Sequence, residues 1–142
     1  MKLTEYSLAF IFTSLFNEVL LITKNMPLWQ KGKLNGLGGH IEKNESPIAA
    51  VEREVFEETN LQIHTNEWMK VGMLSGIDWK VHVFATIYTG KQSDAQTMTD
   101  EKIDWYKINN LPKNIISNLS WLIPLSIDIL KYKEIKKISI YY

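Results

Sequence analysis

Residues 39–61 read GHIEKNESPIAAVEREVFEETNL, and the strongest local signals of the chain lie in this stretch. Ser46 followed by Pro47 predicts the start of a helix, because serine caps free backbone N–H groups and proline needs no partner at the first helical position. We expect the helix to run to about Thr59. Asn60 then suits the left-handed residue that ends many helices. The stretch therefore predicts a loop followed by one capped helix.

Three carboxylates lie close together on this helix. At about 100° per residue, Glu54, Glu57 and Glu58 share an arc about 100° wide. Their mutual repulsion is unfavourable, and Arg53 can neutralise only one of them. Carboxylate oxygens without a soft ligand nearby favour Mg²⁺ or Mn²⁺ over zinc, so the pattern predicts a divalent-metal site. A solvated charged helix face stays open as the alternative. A separate apolar stripe on the same helix should pack on a sheet: Ile48, Val51 and Val55.

The rest of the chain combines several strand patterns with a second helix pattern. Residues 24–40 are irregular and rich in glycine, and residues 138–142 read as a loose end or an edge strand. The order of elements predicts the α/β class, with helices packed on a mixed sheet in a single domain spanning residues 1–142. The predicted strands cover residues 6–13, 19–23, 68–75, 79–88 and 103–108, and the second helix covers about residues 119–132.

The composition excludes several classes of protein. Sixteen basic and sixteen acidic residues leave a formal net charge of zero, so no global positive field favours long nucleic acids or anionic membranes. The absence of cysteine excludes disulfide scaffolds, thiolate catalysis and Cys-ligated zinc. No apolar run approaches the roughly 18 to 20 residues of a membrane span. We expect a cytoplasmic protein that binds a small charged ligand.

The spacing of residues 39–61 resembles the Nudix box, the signature of the Nudix hydrolases. The resemblance is carried by Gly39, by Glu45 six positions later, and by REVFEETNL at residues 53–61. The family usually has glycine where this chain has Asn60, a residue that also tolerates a left-handed backbone. The resemblance implies an α/β/α sandwich with a mixed sheet, and an enzyme that hydrolyses a nucleoside diphosphate linked to another group with the help of a divalent metal.

The resemblance also implies roles for individual residues. Mg²⁺ is the implied cofactor, with Mn²⁺ as an alternative. Arg53 and Glu45 resemble the pair that steadies the acidic cluster. The identity of the general base stays open between Glu54 and Glu101, and Glu101 is alternatively an outer ligand or a charged loop residue. The implied metal ligands are Gly38 through its carbonyl, Glu54, Glu57 and Glu58, and the implied catalytic set is Arg53, Glu54, Glu57 and Glu101.

Beyond the box, the chain resembles the MutT-type branch, which cleaves nucleoside triphosphates, including oxidised ones. Asn35 and Asn118 match segments where an amide reads the base, since an amide both donates and accepts hydrogen bonds. Asn118 is alternatively a helix cap. Gly39 lets backbone approach a ligand, and Trp29 and Trp121 are candidate stacking residues, although most tryptophans should be core.

These features lead to one functional hypothesis. We expect Mg²⁺-dependent hydrolysis of a nucleoside triphosphate, with an oxidised purine as one option, to a nucleoside monophosphate and pyrophosphate. Two alternatives stay open: a hydrolase of another nucleoside-diphosphate-linked compound, such as a nucleotide sugar or dinucleoside polyphosphate, and a non-catalytic nucleotide sensor. The sequence leaves the choice between a monomer and a homodimer open.

Overall fold

The computed structural model describes residues 2–133 and 138–142. Over these ranges the chain forms a seven-stranded sheet with an α-helix on each face. The elements in chain order are β1 (Thr4–Thr13), β2 (Glu18–Thr23), β3 (Leu34–Asn35), α1 (Pro47–Thr59), β4 (Met69–Ser75), β5 (Trp79–Tyr88), β6 (Ile103–Lys107), α2 (Leu119–Lys131) and β7 (Ile138–Tyr141).

The sheet is mixed, as expected from the sequence. Its strand order is β3-β2-β1-β5-β4-β7, and β6 pairs with β2 outside this path. β1 runs parallel to β5, and β4 runs parallel to β7. The other pairs are antiparallel. β1 and β5 lie at the centre of this order, and they pair over ten consecutive residues each.

The two faces of β1 carry two separate cores. Phe10 and Phe12 face the cluster that contains the buried residues of α2, whereas Ala9 and Ile11 face the cluster that contains Val51 of α1. This alternation follows from the two-residue period of a strand, which sends successive side chains to opposite faces. The predicted α/β/α sandwich is therefore confirmed.

The segment that follows β3 inserts beside β1, in a region that the sequence predicts to be irregular. Ile11 and Phe12 of β1 pair with β2, while Ala9 and Tyr6 form bridges with Leu37 and His40. β1 thus shares one edge between two partners. Backbone groups buried in a sheet need partners, and the glycine-rich segment supplies them where β2 does not. This arrangement brings the loop before α1 into the middle of the sheet.

Most predicted elements are confirmed, with boundaries shifted by one or two residues. The Ser46 hydroxyl accepts a hydrogen bond from the Ala49 N–H at 3.2 Å, and Asn60 ends α1 in the left-handed region with φ 65°. The alternative of an edge strand for residues 138–142 is also confirmed, because β7 pairs with β4. The sequence did not predict β3, since two residues are too few for a periodic signal. Neither α-helix in the described ranges has the length and apolar character needed to cross a bilayer.

Candidate active site

Arg53 connects α1 to the loop that precedes it. Its Nε and Nη2 donate to the two Glu45 carboxylate oxygens at 2.7 and 2.9 Å, and Nη2 also donates to the His40 carbonyl at 3.1 Å. Its Nη1 donates to Glu54 at 2.9 Å. The hydrogen bonds from Arg53 are the main reason that the pKa of Glu45 is lowered. The pair of Arg53 and Glu45 expected from the sequence is thus formed in the structure.

Glu54 lies directly against the backbone of Gly39. A Cβ atom placed on Gly39 would be 2.8 Å from the Glu54 Oε1, so any larger residue would push against the carboxylate. Burial raises the pKa of the Glu54 carboxyl, although the hydrogen bond from Arg53 opposes the rise. Glycine at this position allows the loop backbone and the carboxylate to share one wall of the site.

Glu58 is buried, with 6% of its surface exposed, and it accepts a hydrogen bond from the Gly38 N–H at 2.9 Å. Burial raises the pKa of the Glu58 carboxyl to about 8. The hydrogen bond from Gly38 lowers this pKa, and the neighbouring negative charge of Glu54 raises it again. A buried carboxyl next to a second carboxyl is unfavourable as an anion without a nearby cation.

Glu57 differs from its two neighbours because its side chain is 54% exposed. Its contact with the site is an ion pair with Arg53 Nη1 at 3.4 Å. No three acidic or histidine side chains in the described part of the chain converge into a ready-made metal cluster. The donor set nevertheless fits a hard divalent cation, because Glu54 and Glu58 offer carboxylate oxygens, and burial raises the pKa of both despite the positive charges of Arg53 near Glu54 and Lys24 near Glu58.

Glu101 lies at the end of a different loop and holds the segment that follows β2. Its Oε2 accepts hydrogen bonds from the backbone N–H groups of Asn25 at 2.6 Å and Met26 at 3.3 Å, and its Oε1 accepts one from Lys24 Nζ at 3.3 Å. Burial alone would raise the pKa of Glu101, but these N–H groups and the charge of Lys24 lower it. Both carboxylate oxygens are therefore engaged.

A cleft of about 1100 Å³ runs beside this cluster. Gly38, Gly39 and Glu101 line it, and so do both amides predicted to read a base, Asn35 and Asn118. Most of the residues predicted to bind the substrate therefore line one cleft, whereas Glu54, Glu57 and Glu58 are not among the described residues that line it.

The two amides differ in how much of their hydrogen-bonding capacity is used. Asn35 donates to Gln30 Oε1 at 3.1 Å and accepts from the Gly36 N–H at 2.8 Å. The Asn118 Oδ1 is buried and has no hydrogen-bond partner within the described residues. Asn118 also precedes α2, but its side chain makes no capping hydrogen bond, so the structure gives no support to the alternative that it caps the helix. A buried acceptor without a partner is unfavourable unless a ligand or water satisfies it.

The two predicted tryptophans lie in different places. Trp29 is 64% exposed and lines the cleft, in the segment between β2 and β3. Trp121 packs against the core cluster on the α2 side, and it is not among the described residues that line the cleft. The structure therefore brings Trp29, but not Trp121, to the candidate site. The packing of α2 on the sheet gives Trp121 a place beside this core cluster.

Sequence reasoning missed several residues of the cleft wall. Lys24, Trp79 and Tyr142 all line it. Trp79 is the first residue of a predicted strand and follows a turn. This position was the available signal that its side chain could contact a ligand. No local pattern indicated Tyr142, because its place in the cleft depends on the pairing of β7 with β4.

The model of the NUDIX domain family matches residues 7–123 of the chain. The chain belongs to the Nudix family. The match covers both the Nudix box at residues 39–61 and most of the sheet. Family membership confirms the recognition made from the box, and it supports an enzyme of the Nudix pyrophosphohydrolase type.

Solved structures share the Nudix fold at low sequence identity. A MutT NUDIX hydrolase from Burkholderia pseudomallei is 18% identical, with 88% of this chain and 98% of that chain covered and a TM-score of 0.73. A MutT protein from Bacillus halodurans is 19% identical, with 98% and 87% covered and a TM-score of 0.66. The NUDIX domain of NrtR from Shewanella oneidensis, solved with ADP ribose, is 16% identical, with 92% and 89% covered and a TM-score of 0.74. At these identities the likeness concerns the fold.

Proposed function

We propose that this Nudix protein hydrolyses a nucleoside triphosphate, with Mg²⁺ as cofactor, to a nucleoside monophosphate and pyrophosphate. The observation that carries the proposal is the contact of Glu54 and Glu58 with the backbone of Gly39 and Gly38, both of which line the cleft. The two carboxylates thereby lie against backbone that a ligand in the cleft would meet. Asn118 adds to the same cleft a buried acceptor that has no hydrogen-bond partner among residues 2–133 and 138–142.

The carboxylates and one backbone carbonyl would hold the metal: Glu54, Glu57, Glu58 and Gly38. When bound, a divalent cation would neutralise negative charge on the phosphate oxygens and would lower the pKa of a bound water. Arg53 keeps Glu54 beside the Gly39 backbone through its hydrogen bonds to Glu54 and Glu45. Lys24 also lines the cleft, where its ammonium group is paired with Glu101 at 3.3 Å.

We propose Glu54 as the general base and Glu101 as a positioning residue. Water attacks phosphorus, the phosphoanhydride bond breaks, and the water proton passes to a carboxylate while pyrophosphate leaves. Glu54 has one oxygen bound by Arg53, which leaves the other oxygen to accept a proton, and burial raises the pKa of its carboxyl. Both oxygens of Glu101 are already engaged by Lys24 and the backbone after it, which favours a role in holding that segment.

A second candidate substrate class follows from one comparison. The NrtR domain of Shewanella oneidensis was solved with ADP ribose, a nucleoside diphosphate linked to a sugar. Hydrolysis of another nucleotide-linked compound, or nucleotide sensing without cleavage, therefore stays as the alternative. The preference for an oxidised purine, the cytoplasmic location and the choice between monomer and homodimer also stay as predictions.

The proposal is tested by incubating the protein with a panel of nucleoside triphosphates, 8-oxo-purine nucleotides and nucleotide sugars in Mg²⁺, and by measuring pyrophosphate and phosphate. We expect pyrophosphate release from a triphosphate. Glu57→Gln should lower kcat by about 10²- to 10³-fold, as for loss of other preorganised charged groups.

Glu52→Gln is the matched control on the same helix. Glu52 pairs with His64 at 3.3 Å, outside the acidic cluster, and its substitution should leave kcat within about 2-fold, as a surface change away from the site. An unchanged kcat in Glu57→Gln would overturn the metal assignment. Cleavage of nucleotide sugars alone would favour the second substrate class.

A further inference from the structure

β7 brings an additional aromatic side chain to the cleft. It pairs in parallel with β4, and the Tyr142 N–H that follows it donates to the Ser75 carbonyl at 2.8 Å. Ser75 ends β4, and the turn after it leads to Trp79 at the start of β5. The end of β7 and the start of β5 therefore lie at the same edge of the sheet.

At this edge the rings of Trp79 and Tyr142 contact each other. Their centroids are 5.4 Å apart and their planes are inclined by 52°. Both residues line the cleft. Tyr142 is 66% exposed, so the pair leaves aromatic surface open beside the cleft instead of filling a core.

The indole of Trp79 is held in place from a second side. A Cβ atom on Gly76 would be 2.2 Å from the Trp79 Nε1 and would collide with the ring. Glycine in the turn thus lets the indole lie directly over the backbone. With Gly76 on one side and Tyr142 as a neighbour, Trp79 is oriented before any ligand binds.

We propose that Trp79 and Tyr142 form an aromatic subsite that receives the nucleobase of the substrate. The inference rests on the proposed function, because it assigns one end of the same cleft to the planar part of the nucleotide. Aromatic side chains bind bases through stacking, which tolerates every base because each has a π face. Leu74 and Val81 add apolar surface to the lining of the cleft.

The test compares two ligands that share a polyphosphate but differ in the base. Binding of a non-hydrolysable nucleoside triphosphate analogue and of inorganic triphosphate is measured by calorimetry, with Mg²⁺ present. Tyr142→Ala should weaken binding of the analogue by about 5- to 10-fold, at the lower end of what loss of a stacking residue costs. Binding of inorganic triphosphate should not change.

Two matched variants separate the ring from the strand that carries it. Tyr141→Ala removes the neighbouring tyrosine, which is 77% exposed and does not line the cleft, so both affinities should stay at the unmodified level. Tyr142→Phe keeps the ring and should bind the analogue within about 2-fold of the unmodified protein. Equal losses in Tyr142→Phe and Tyr142→Ala would overturn the stacking role.

A third variant displaces the strand without touching the aromatic pair. A Cβ atom on Gly72 of β4 would lie 2.0 Å from the Ile138 carbonyl oxygen, so Gly72→Ala forces β7 to shift. We expect it to weaken binding of the analogue as Tyr142→Ala does, again without an effect on inorganic triphosphate.

The outcomes distinguish this inference from the proposed function. If Tyr142→Ala binds both ligands as the unmodified protein does, or loses affinity for both equally, the aromatic subsite is overturned. The proposed hydrolytic function does not depend on that result. If the protein hydrolyses no nucleotide but Tyr142→Ala still weakens the analogue selectively, the subsite stands and the enzymatic proposal fails.

Discussion

Arg53 and Glu45 form a two-point contact, in which two guanidinium nitrogens donate to the two oxygens of one carboxylate at 2.7 and 2.9 Å. This geometry suits the planar fork of arginine and ties the loop before α1 to the helix. Arg53 is partly shielded, with 24% of its side chain exposed. The contact therefore holds the loop that contains Gly38 and Gly39 at a fixed distance from the acidic cluster.

Arg53→Lys should lower the free energy of unfolding by about 1 to 3 kcal/mol, because lysine cannot contact both oxygens of Glu45 and also reach Glu54. Urea denaturation measures the change. Lys43→Ala is the control, since Lys43 is exposed in the same loop and its loss should cost less than about 0.5 kcal/mol. If Arg53→Lys were as stable as the unmodified protein, the two-point contact between Arg53 and Glu45 would not contribute to stability.

Gly38 adopts φ 133°, and a Cβ atom there would lie 2.1 Å from the Ser7 carbonyl oxygen. Gly38→Ala should therefore destabilise the protein by about 3 kcal/mol or more, because the added methyl group meets backbone that cannot rotate away. Gly32→Ala is the matched control: Gly32 also has a positive φ, of 79°, but no heavy atom lies within 4 Å of its Cβ position. The control should cost only about 1 to 2 kcal/mol. Thermal and urea unfolding that give equal losses for the two variants would argue against the close approach.

The Glu58 carboxyl should make the metal-free protein less stable as the pH rises. Its pKa is raised from 4.5 to about 8 in the folded state, so the folded state binds the proton more tightly than the unfolded state. The resulting stabilisation is complete below the unfolded pKa of 4.5, decreases between 4.5 and about 8, and is absent above that range. Unfolding free energies in the presence of a chelator, measured across this window, test the direction.

Glu58→Gln is the control for this pH dependence. The variant should show a smaller decrease in stability than the unmodified protein, although the raised pKa of Glu54 leaves a remainder in the same direction. Identical pH profiles for the two proteins would mean that Glu58 is not buried as a protonated carboxyl. Comparing the variant with the unmodified protein also cancels the contributions of carboxylates whose pKa values are lowered, such as Glu45 and Glu101.

Glu101→Gln distinguishes a positioning residue from a general base. Because Glu101 binds the backbone of Asn25 and Met26, we expect its loss to raise KM by about 5- to 10-fold through displacement of the cleft wall, with kcat within about 3-fold. A general base would instead lower kcat by about 10²- to 10⁴-fold. Steady-state kinetics separate the two results, and Asp104→Asn, on the exposed face of β6, serves as the control.

How much could be predicted from sequence depended on the distance between interacting residues. The ends of α1 were predicted well, because Ser46 caps an N–H three residues away and Asn60 needs only its own left-handed backbone. β3 and the bridges of residues 37 and 40 were missed, because they depend on pairing with β1. The hydrogen bonds from residues 25 and 26 to Glu101 span about 75 positions, so no local pattern could indicate them. The position of Trp121 away from the cleft could not be predicted for a related reason: helical spacing does not say which face of α2 meets the sheet.

The sequence by itself determined that α1 exists and that one side of it is acidic. The capping residues and the helix length follow from neighbouring residues, and the grouping of Glu54, Glu57 and Glu58 follows from the period of the helix. It also determined the family, because the spacing of residues 39–61 is continuous along the chain. Only the tertiary structure decided that Glu58 is buried under the Gly38 N–H while Glu57 faces solvent. That difference depends on the sheet face against which the helix packs, and the residues of that face are distant in sequence. The same physical reason places Tyr142 beside Trp79, across a strand pairing that no short stretch of sequence encodes.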